Sequence, residues 1–362
     1  MKFAFFGSSL VSAYWNGAAT YYRGIIKAMQ ERGHQIIFYE PDVYDRQKNR
    51  DMEDPEWATI RVYQPTIDEV YNVLEEALQA DIIIKTSGVG VYDELLEEEV
   101  AKLPLKGKAV IFWDVDAPAT LDRVNNTEDD YFKRLIPQFN LILTYGGGAP
   151  VVNAYKALGA QNCYPIYNAL DPATHYPVEK ESRFRADLVF LGNRLPDREK
   201  RVEDFFLQVA AEMPDSRFIL GGNGWQNKPM TENINYIGHV FTKDHNALNS
   251  SPKAILNISR DSMARYGFSP ATRVFEAAGA GACIITDYWV GIDSFFEPGK
   301  EILVAENGAA VKEILSSLTE ERAAEIGAAA LRKVLAKHTY THRAEELDKI
   351  LIQEFSGVKL MV

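Results

Sequence analysis

Short runs of consecutive apolar residues alternate along the chain with amphipathic stretches. Stretches such as 18–32 and 67–79 space their apolar positions as a half-buried helix does. Strands covered on both faces of a parallel sheet have continuous apolar runs rather than alternating ones. The first half of the chain therefore predicts a doubly wound α/β sheet. Its predicted strands are residues 3–6, 35–39, 80–85, 109–113 and 141–144.

The same alternation restarts beyond residue 185. Residues 170–182 carry two prolines and mixed charges, which favours a hinge there. We therefore predict two Rossmann-like, doubly wound domains, residues 1–172 and 173–340, with a ligand cleft between the carboxyl ends of their sheets. The charged stretch 44–57 is predicted to be a surface loop or a lid. The second series comprises strands 186–191, 217–220, 235–237, 254–258 and 283–286 and helices 199–213, 270–280 and 309–337.

The segment Tyr266–Asp287 contains the strongest candidate binding site. Ser269 is a suitable N-cap and Pro270 suits the first helical position, so we predict a helix start that attracts an anion such as a diphosphate. Thr272, Arg273 and Glu276 lie on nearly one face of this helix. A carboxylate one turn beyond a phosphate site can accept hydrogen bonds from the hydroxyls of a ribose. The alternative is an Arg273–Glu276 ion pair on a solvated surface.

A polar loop follows the predicted strand 186–191. It begins with Gly192 and Asn193 and contains Arg194 and Arg198, whose forked guanidinium groups suit a pyrophosphate. The alternative is a basic helix start that pairs with its own acidic residues. His239 follows another strand and could contact a nucleobase, although a simple loop histidine is an equal alternative.

Two aspartates follow the predicted strand 109–113. Asp114 and Asp116 have the DxD spacing that can bind Mg²⁺ or Mn²⁺, but no third acidic ligand is close in sequence. We favour a metal-free role for Asp116 as a hydroxyl contact or general base. A helix N-cap at Asp116, ahead of Pro118, is an alternative of nearly equal weight.

The loop after the first strand, residues 7–20, does not complete a GxGxxG dinucleotide motif. Its small and polar residues are candidates for lining an acceptor or phosphate pocket. These candidates are Gly7, Ser8, Asn16, Gly17 and Thr20.

Composition narrows the class of protein further. The chain has 39 basic and 51 acidic residues, and a formal charge of -12 argues against a broad face for nucleic acid. No window approaches the roughly 18 apolar residues of a membrane span, and the first apolar run is too short for a signal peptide. The two cysteines are isolated and the six histidines lack metal-site spacing. We therefore expect a cytoplasmic protein without a metal cofactor.

Several segments together resemble the glycosyltransferases of the B fold, specifically the CgeB-like (spore maturation protein-like) branch related to the retaining group 1 enzymes. The resemblance covers nearly the whole chain and is clearest in the second half. It implies that residues 341–362 form a terminal helix that crosses back to the first domain. The segments are LGNRLPDR at 191–198, NYIGHV at 235–240, LNISR at 256–260, SPATRVFEAAGAGACIITD at 269–287, EPGKEILVAEN at 297–307 and HTYTHRAEELDKIL at 338–351.

The resemblance implies a role for each matching residue. Glu276 would bind the ribose of a nucleoside-diphosphate sugar, and His239 would lie beside the base. Asp116 matches a cleft residue of the first domain, and Phe268 stands where the larger retaining family has a second glutamate. The diphosphate would be held in the loop of Gly192 and Asn193, by Arg194 and Arg198, and by the backbone of Ser269, Ala271, Thr272 and Arg273.

The implied activity is the metal-independent, retaining transfer of a sugar to a hydroxyl acceptor bound by the first domain. Positive protein groups would stabilise the leaving group, so neither a metal nor another cofactor is expected. A nucleotide-sugar epimerase on the same fold and a non-catalytic nucleotide-sugar-binding protein remain alternatives.

Overall fold

A computed structural model of the protein describes residues 1–14 and 16–355, with the backbone alone at residues 105 and 106. The chain divides into two compact units. The first contains Met1–Tyr167 and the described residues from Tyr340 onward, and the second is Asn168–Thr339. The last residues of the predicted terminal segment, 356–362, lie outside the described residues.

The first unit is built on a parallel sheet with seven strands among the described residues. Its spatial order, β3-β2-β1-β4-β5-β6-β7, reverses direction beside β1, as in a doubly wound fold. In register, Phe3 lies between Ile36 and Ile82, so β1 is covered on both edges. The strands are β1 (Lys2–Phe6), β2 (Gln35–Pro41), β3 (Thr59–Tyr63), β4 (Ile82–Thr86), β5 (Ala109–Asp114), β6 (Leu141–Thr144) and β7 (Cys163–Pro165).

Helices connect these strands and cover both faces of the sheet. In the first helix Ala19, Tyr22, Ile26 and Met29 are buried at a spacing of three or four residues, which is the core-facing stripe of an amphipathic helix. The helices are α1 (Ala19–Glu31), α2 (Ile67–Ala77), α3 (Asp93–Ala101), α4 (Ala117–Asn126) and α5 (Gly148–Ala157). Short 3₁₀ turns occupy Leu103–Lys106, Tyr131–Arg134 and Ile136–Gln138.

The second unit repeats the architecture with a parallel sheet of six strands among the described residues. The order is β10-β9-β8-β11-β12-β13, again with a reversal beside its first strand. The doubly wound α/β fold predicted from the sequence is therefore confirmed in both units. The strands are β8 (Leu188–Leu191), β9 (Phe218–Gly221), β10 (Ile234–Gly238), β11 (Ala254–Asn257), β12 (Ile284–Asp287) and β13 (Leu303–Ala305).

The helices of the second unit differ from the sequence prediction in several places. The stretch predicted as one helix, 309–337, is two helices, because Thr319 accepts a hydrogen bond from the amide of Arg322 and starts a new one. A π-helical segment, Glu203–Gln208, joins the helices Pro196–Val202 and Val209–Glu212 into one continuous helical stretch. The helices are α6 (Pro196–Val202), α7 (Val209–Glu212), α8 (His245–Ser250), α9 (Asp261–Tyr266), α10 (Thr272–Gly279), α11 (Gly308–Ser317) and α12 (Glu320–Lys337). The 3₁₀ turns are Ser182–Phe184, Thr242–Asp244 and Ile292–Ser294.

The last helix, α13 (Tyr340–Phe355), belongs to the first unit and packs on α1. Asp348 pairs with Arg32 at 2.5 Å and with His34 at 2.7 Å. Tyr340 lies with its ring against the backbone of Gly24, where a Cβ atom would come within 2.2 Å of the ring carbons. None of the helices within 1–14 and 16–355 combines the length and apolar character that crossing a bilayer requires.

The contact between Gly24 and Tyr340 yields a stability prediction. Gly24→Ala should lower the free energy of unfolding by about 1–3 kcal/mol, because the added methyl group must push α13 away. This loss should exceed the gain of about 1 kcal/mol in helix propensity. Urea denaturation measures the change, and Gly17→Ala is the matched control, since an added Cβ there meets nothing within 4 Å. A Gly24→Ala protein as stable as the wild type would contradict the packing of α13 on α1.

Candidate functional site

The loops after β8 and β9 contact each other at the carboxyl edge of the second sheet. The indole Nε1 of Trp225 donates to the carbonyl of Gly192 at 2.8 Å. The amide of Asn223 donates to Oδ1 of Asn193 at 2.9 Å. A Cβ atom on Gly222, whose φ is +110°, would lie 2.3 Å from the carbonyl oxygen of Gly192. Glycine at this position therefore lets the two loops approach closely and fixes the loop that leads to α6.

Arg198 reaches back from α6 over the end of β8. Its Nη2 donates to the carbonyl of Asn193 at 2.7 Å, and its guanidinium lies 5.5 Å from the ring centre of Phe190. Among the described residues, its buried Nε has no hydrogen-bond acceptor. A Cβ atom on Gly192 would lie 2.8 Å from Nη2, so this glycine makes room for the guanidinium. The cation is thus half-buried and only partly paired.

The electrostatic surroundings of Arg198 are unusual for an arginine. Burial, together with the positive charges of Arg273 and Arg260, lowers its pKa to about 10, while Asp197 and Asp287 oppose the decrease. Burial also lowers the pKa of Arg273, with Glu276 opposing the effect. A site in which guanidinium groups repel each other is stabilised by an anion that contacts both of them.

Arg194 has a different environment in the same loop. Its Nε and Nη2 donate to the two carboxylate oxygens of Glu199 at 2.8 and 2.7 Å. Lys228 also contacts Glu199, at 2.9 Å. The charge of Arg194 is therefore matched by a protein carboxylate, whereas that of Arg198 is not.

The start of α10 lies two residues beyond the predicted one, which corrects the expected N-cap. The N-cap residue is Ala271, whose backbone is extended, and the hydroxyl of Ser269 donates to the carbonyl of Gly267 at 2.9 Å. The shift follows from the preceding backbone, since Phe268 has a left-handed φ of 45°. Its amide donates to the carbonyl of Val290 at 2.7 Å, which holds this strained turn in place.

Asn168 supports the loop ahead of α10. Its Oδ1 accepts from the hydroxyl of Thr272 at 3.0 Å, and its Nδ2 donates to the carbonyl of Pro270 at 3.5 Å. This residue lies at the first position of the second unit and is almost completely buried. The sequence prediction missed it because its segment was assigned to the approach to a hinge.

Glu276 lies one turn into α10 and stands in a cluster with two histidines. Its Oε1 is 3.9 Å from Nε2 of His175, and the carboxylate is partly exposed, at 13%. His245, the first residue of α8, completes the cluster, and one ligand atom from each of the three residues lies within 4.8 Å of the others. The sequence prediction identified the carboxylate but neither histidine, because the three residues are far apart along the chain.

Two further features surround this edge of the second sheet. His239 follows β10 with an exposed ring that packs edge-on against Phe241, with 4.8 Å between ring centres. Asp287, at the end of β12, accepts from the amide of Ser259 at 3.1 Å and from Arg201. Burial raises the pKa of Asp287, and these donors oppose the increase. Asp287 thus fixes the loop after β11.

In the first unit, Asp114 and Asp116 do not share a face. Asp114 is fully buried, with Oδ1 accepting from the amide of Asp116 at 2.9 Å and Oδ2 accepting from the hydroxyl of Tyr155. Burial raises the pKa of Asp114. Asp116 is half-buried at the N-cap position of α4. Asp114 is therefore a core group that shapes the turn, and Asp116 is the carboxylate nearer to solvent.

The loop after β1 contains four of the five candidate acceptor residues, and Thr20 lies in the first turn of α1. Ser8 donates to Oδ1 of Asn16 at 2.9 Å, and Nδ2 of Asn16 donates to the carbonyl of Ser9 at 2.8 Å. A Cβ atom on Gly7 would lie 2.3 Å from the ring of Phe38. These buried residues set the shape of the loop. The two candidates exposed to solvent are Gly17 and Thr20.

The charged stretch predicted as a surface loop or lid is anchored on that same loop. Glu40, at the end of β2, accepts from the amide of Leu10 at 2.7 Å and from Gln47 at 2.5 Å. Arg46 donates to the carbonyl of Ser8 at 3.0 Å. Its pKa is lowered by burial, and nearby Tyr44 and Glu40 oppose the decrease.

The comparison with known proteins agrees with this architecture. Residues 198–349 match a family model described as glycosyl transferase-like, which spans less than half of the chain. This stretch contains Arg198, Glu276 and the start of α10. No protein of curated function matches the chain by sequence.

Solved structures resemble the protein over nearly its full length. Sucrose-phosphate synthase from Thermosynechococcus elongatus has a TM-score of 0.72 at 12% identity, covering 99% of this chain and 100% of that chain. HepE from Anabaena, in complex with UDP and glucose, has a TM-score of 0.69 at 12% identity, covering 98% and 100%. AviGT4, a glycosyltransferase involved in avilamycin A biosynthesis, has a TM-score of 0.63 at 17% identity, covering 99% and 98%. The protein therefore has the glycosyltransferase B fold, as predicted.

Proposed function

We propose that the protein is a glycosyltransferase that moves a sugar from a nucleoside-diphosphate sugar to a hydroxyl acceptor. The observation that carries the proposal is the half-buried, underpaired guanidinium of Arg198 beside Arg273 at the start of α10. The match of residues 198–349 to a glycosyl transferase-like family model supports it, because that match includes both arginines. We place the donor in the second unit and the acceptor in the first.

The diphosphate of the donor would bind between Arg198 and α10. The first amides of a helix have no acceptor within the helix, so Thr272 and Arg273 can donate to phosphate oxygens there. The dipole of α10 favours a negative charge at the same place. Gly192 and Asn193 would line the approach, and Arg194 would contribute from the opposite side of the loop.

The nucleoside would extend from the diphosphate along α10. Glu276 lies four residues beyond Thr272, so its carboxylate is one turn from the phosphate position and can accept hydrogen bonds from both ribose hydroxyls. The exposed rings of His239 and Phe241 are candidates for contact with the base. Ser269 and Ala271 would hold the backbone that presents the helix start.

Transfer breaks the bond between the anomeric carbon and the diphosphate oxygen, and the bonding electrons remain on the diphosphate. Arg198, with Arg194 and the amides of α10, would stabilise this developing charge. Because protein cations perform this task, we propose that the reaction needs no divalent metal. We assign Asp116 to the acceptor hydroxyl as a contact or base, and Gly17 and Thr20 to the acceptor surface. On the resemblance of segment 269–287, we extend the proposal to a retaining outcome in the CgeB-like branch.

The activity itself can be tested in two steps. A thermal-shift screen with UDP, GDP, dTDP and ADP identifies the nucleotide, since a ligand that binds only the native state raises its melting temperature. UDP is the first choice because HepE binds it. The matching nucleotide sugars are then incubated with the protein in EDTA, and we expect release of nucleoside diphosphate. A changed sugar nucleotide without diphosphate release would identify an epimerase, and binding without turnover a sensor.

Removing Arg198 should weaken nucleotide binding. Arg198→Ala should raise the dissociation constant of the nucleoside diphosphate by roughly 10- to 100-fold, since charge-assisted hydrogen bonds contribute about 1.5–3 kcal/mol. The dissociation constant of Arg198→Lys should lie between those of the wild type and Arg198→Ala, because lysine keeps the charge and loses the forked donors. Calorimetric titration measures the constants. The control is Arg217→Ala, which removes an exposed arginine just before β9, at the opposite edge of the sheet. Equal binding by all variants would make the Arg198 loop purely structural.

The proposed contact between Glu276 and the ribose hydroxyls can be tested with donor kinetics. Glu276→Gln should lower kcat/KM for the donor by about tenfold or more, because one acceptor and the charge are lost. The wild type should discriminate against a 2′-deoxy donor, and the variant should lose most of that discrimination. Glu313→Gln on the exposed side of α11 is the control. If Glu276→Gln folds normally and still rejects the deoxy donor as the wild type does, the ribose assignment is wrong.

A further inference from the structure

The two histidines beside Glu276 are arranged as metal ligands rather than as isolated core residues. His175 is buried, and within the described part of the chain its Nε2 has no hydrogen-bond partner. Oε1 of Glu276 lies 3.9 Å from this nitrogen. A buried ring nitrogen without a partner is costly unless a ligand fills the space in front of it.

The other nitrogen of each histidine has an oxygen partner that fixes the ring. The hydroxyl of Thr174 lies 3.0 Å from Nδ1 of His175. Nε2 of His245 lies 3.3 Å from the carbonyl of Val240 and can donate to it, which leaves the lone pair of Nδ1 available. Metal-binding histidines characteristically have this arrangement, with one nitrogen on the metal and the other on an oxygen.

The two charged residues at the cluster, Arg273 and Glu276, act in opposite directions. Burial lowers the pKa of His245, and the positive charge of Arg273 adds to this effect while Glu276 opposes it. Arg273 also repels a cation, so the single carboxylate of Glu276 supplies the compensating charge.

We propose that His175, His245 and Glu276 bind a divalent transition-metal ion, with zinc as the best match. Two imidazoles and one carboxylate are a known ligand set for zinc, and they disfavour magnesium and calcium, which prefer oxygen ligands. The ligand atoms lie within 4.8 Å of one another, whereas atoms of a tetrahedral zinc site are about 3.4 Å apart. Closing the site on an ion would therefore require a side-chain rotation, for which the partly exposed Glu276 is the candidate.

This ion would act as an inhibitor rather than as a catalytic group. Glu276 cannot ligate the ion and accept both ribose hydroxyls with the same oxygens. Zinc and the donor therefore compete for the site. The competition rests on the ribose assignment under the proposed function, whereas metal binding itself does not.

The metal site is tested first with Co²⁺ alone, whose visible absorption intensifies when it leaves hexaaqua coordination for a four-coordinate site. The wild type should bind one equivalent and release it to Zn²⁺. His245→Gln and His175→Gln should lose the signal, and His239→Gln should keep it, because His239 lies outside the cluster. Melting temperatures check folding, and His245→Gln provides the test if the more buried His175→Gln unfolds. A hexaaqua spectrum with the wild type, or retained binding by a folded His245→Gln, overturns the site.

The competition is tested by titrating the nucleoside diphosphate with and without Zn²⁺. Zinc should raise the apparent dissociation constant at least tenfold for the wild type and leave it unchanged for His245→Gln beyond the metal–nucleotide binding measured without protein. If Co²⁺ binds but zinc does not compete, the metal site stands and the inhibitory role falls, along with the ribose role of Glu276. Failure of the Co²⁺ experiment alone leaves the glycosyltransferase proposal intact.

Discussion

The positive charge of Arg273 acting on the partly buried Arg198 is the main electrostatic constraint at the carboxyl edge of the second sheet. Two guanidinium groups that are held close together and partly desolvated oppose folding, so the surrounding structure must force them into place. Gly192 makes room for the guanidinium of Arg198 by having no Cβ atom, and Gly222 lets its loop approach the backbone of Gly192. The carbonyl of Asn193 accepts a hydrogen bond from Arg198. Asp287 fixes the neighbouring loop and provides partial counter-charge. The proposed diphosphate would complete the charge balance that the protein leaves incomplete.

A strained backbone turn lies at the same edge of the sheet. Phe268 is one of a few non-glycine residues with a positive φ in the described parts of the chain, and its ring packs against Gly291. This turn positions the start of α10, and Asn168 ties the loop from the other side. The strained turn costs folding free energy but positions the first amides of α10 and the Glu276 carboxylate. Such an arrangement is typical of a binding site that is preorganised for its ligand.

The sequence predicted the central strands and most helices well, because continuous apolar runs and amphipathic periods are local signals. The strands it missed, β3, β7 and β13, lie at sheet edges, where partial exposure and residues such as Pro165 weaken the apolar run. The break at Thr319 was missed because the apolar period continues across it. Element boundaries near α10 failed since the left-handed Phe268 depends on its packing against Gly291.

Site prediction reached its limit for a different reason. Arg194 and Arg198 are equivalent in sequence, and their difference arises from Glu199, which pairs with only one of them. The cluster of His175 and His245 with Glu276 joins three segments far apart along the chain, so no spacing rule could reveal it. Asp114 and Asp116 were distinguished by the contact with Tyr155, which is likewise tertiary.

The position of α13 has a consequence for synthesis on the ribosome. The first unit is discontinuous, since its sheet lies within Met1–Tyr167 and its last helix begins at Tyr340. Tyr340 covers Gly24, Asp348 pairs with Arg32, and Glu354 contacts Asn162. The ribosome must therefore synthesise the whole second unit before the last helix of the first unit is available. During that interval the apolar stripe that α13 covers is exposed, which makes it a natural binding surface for a chaperone.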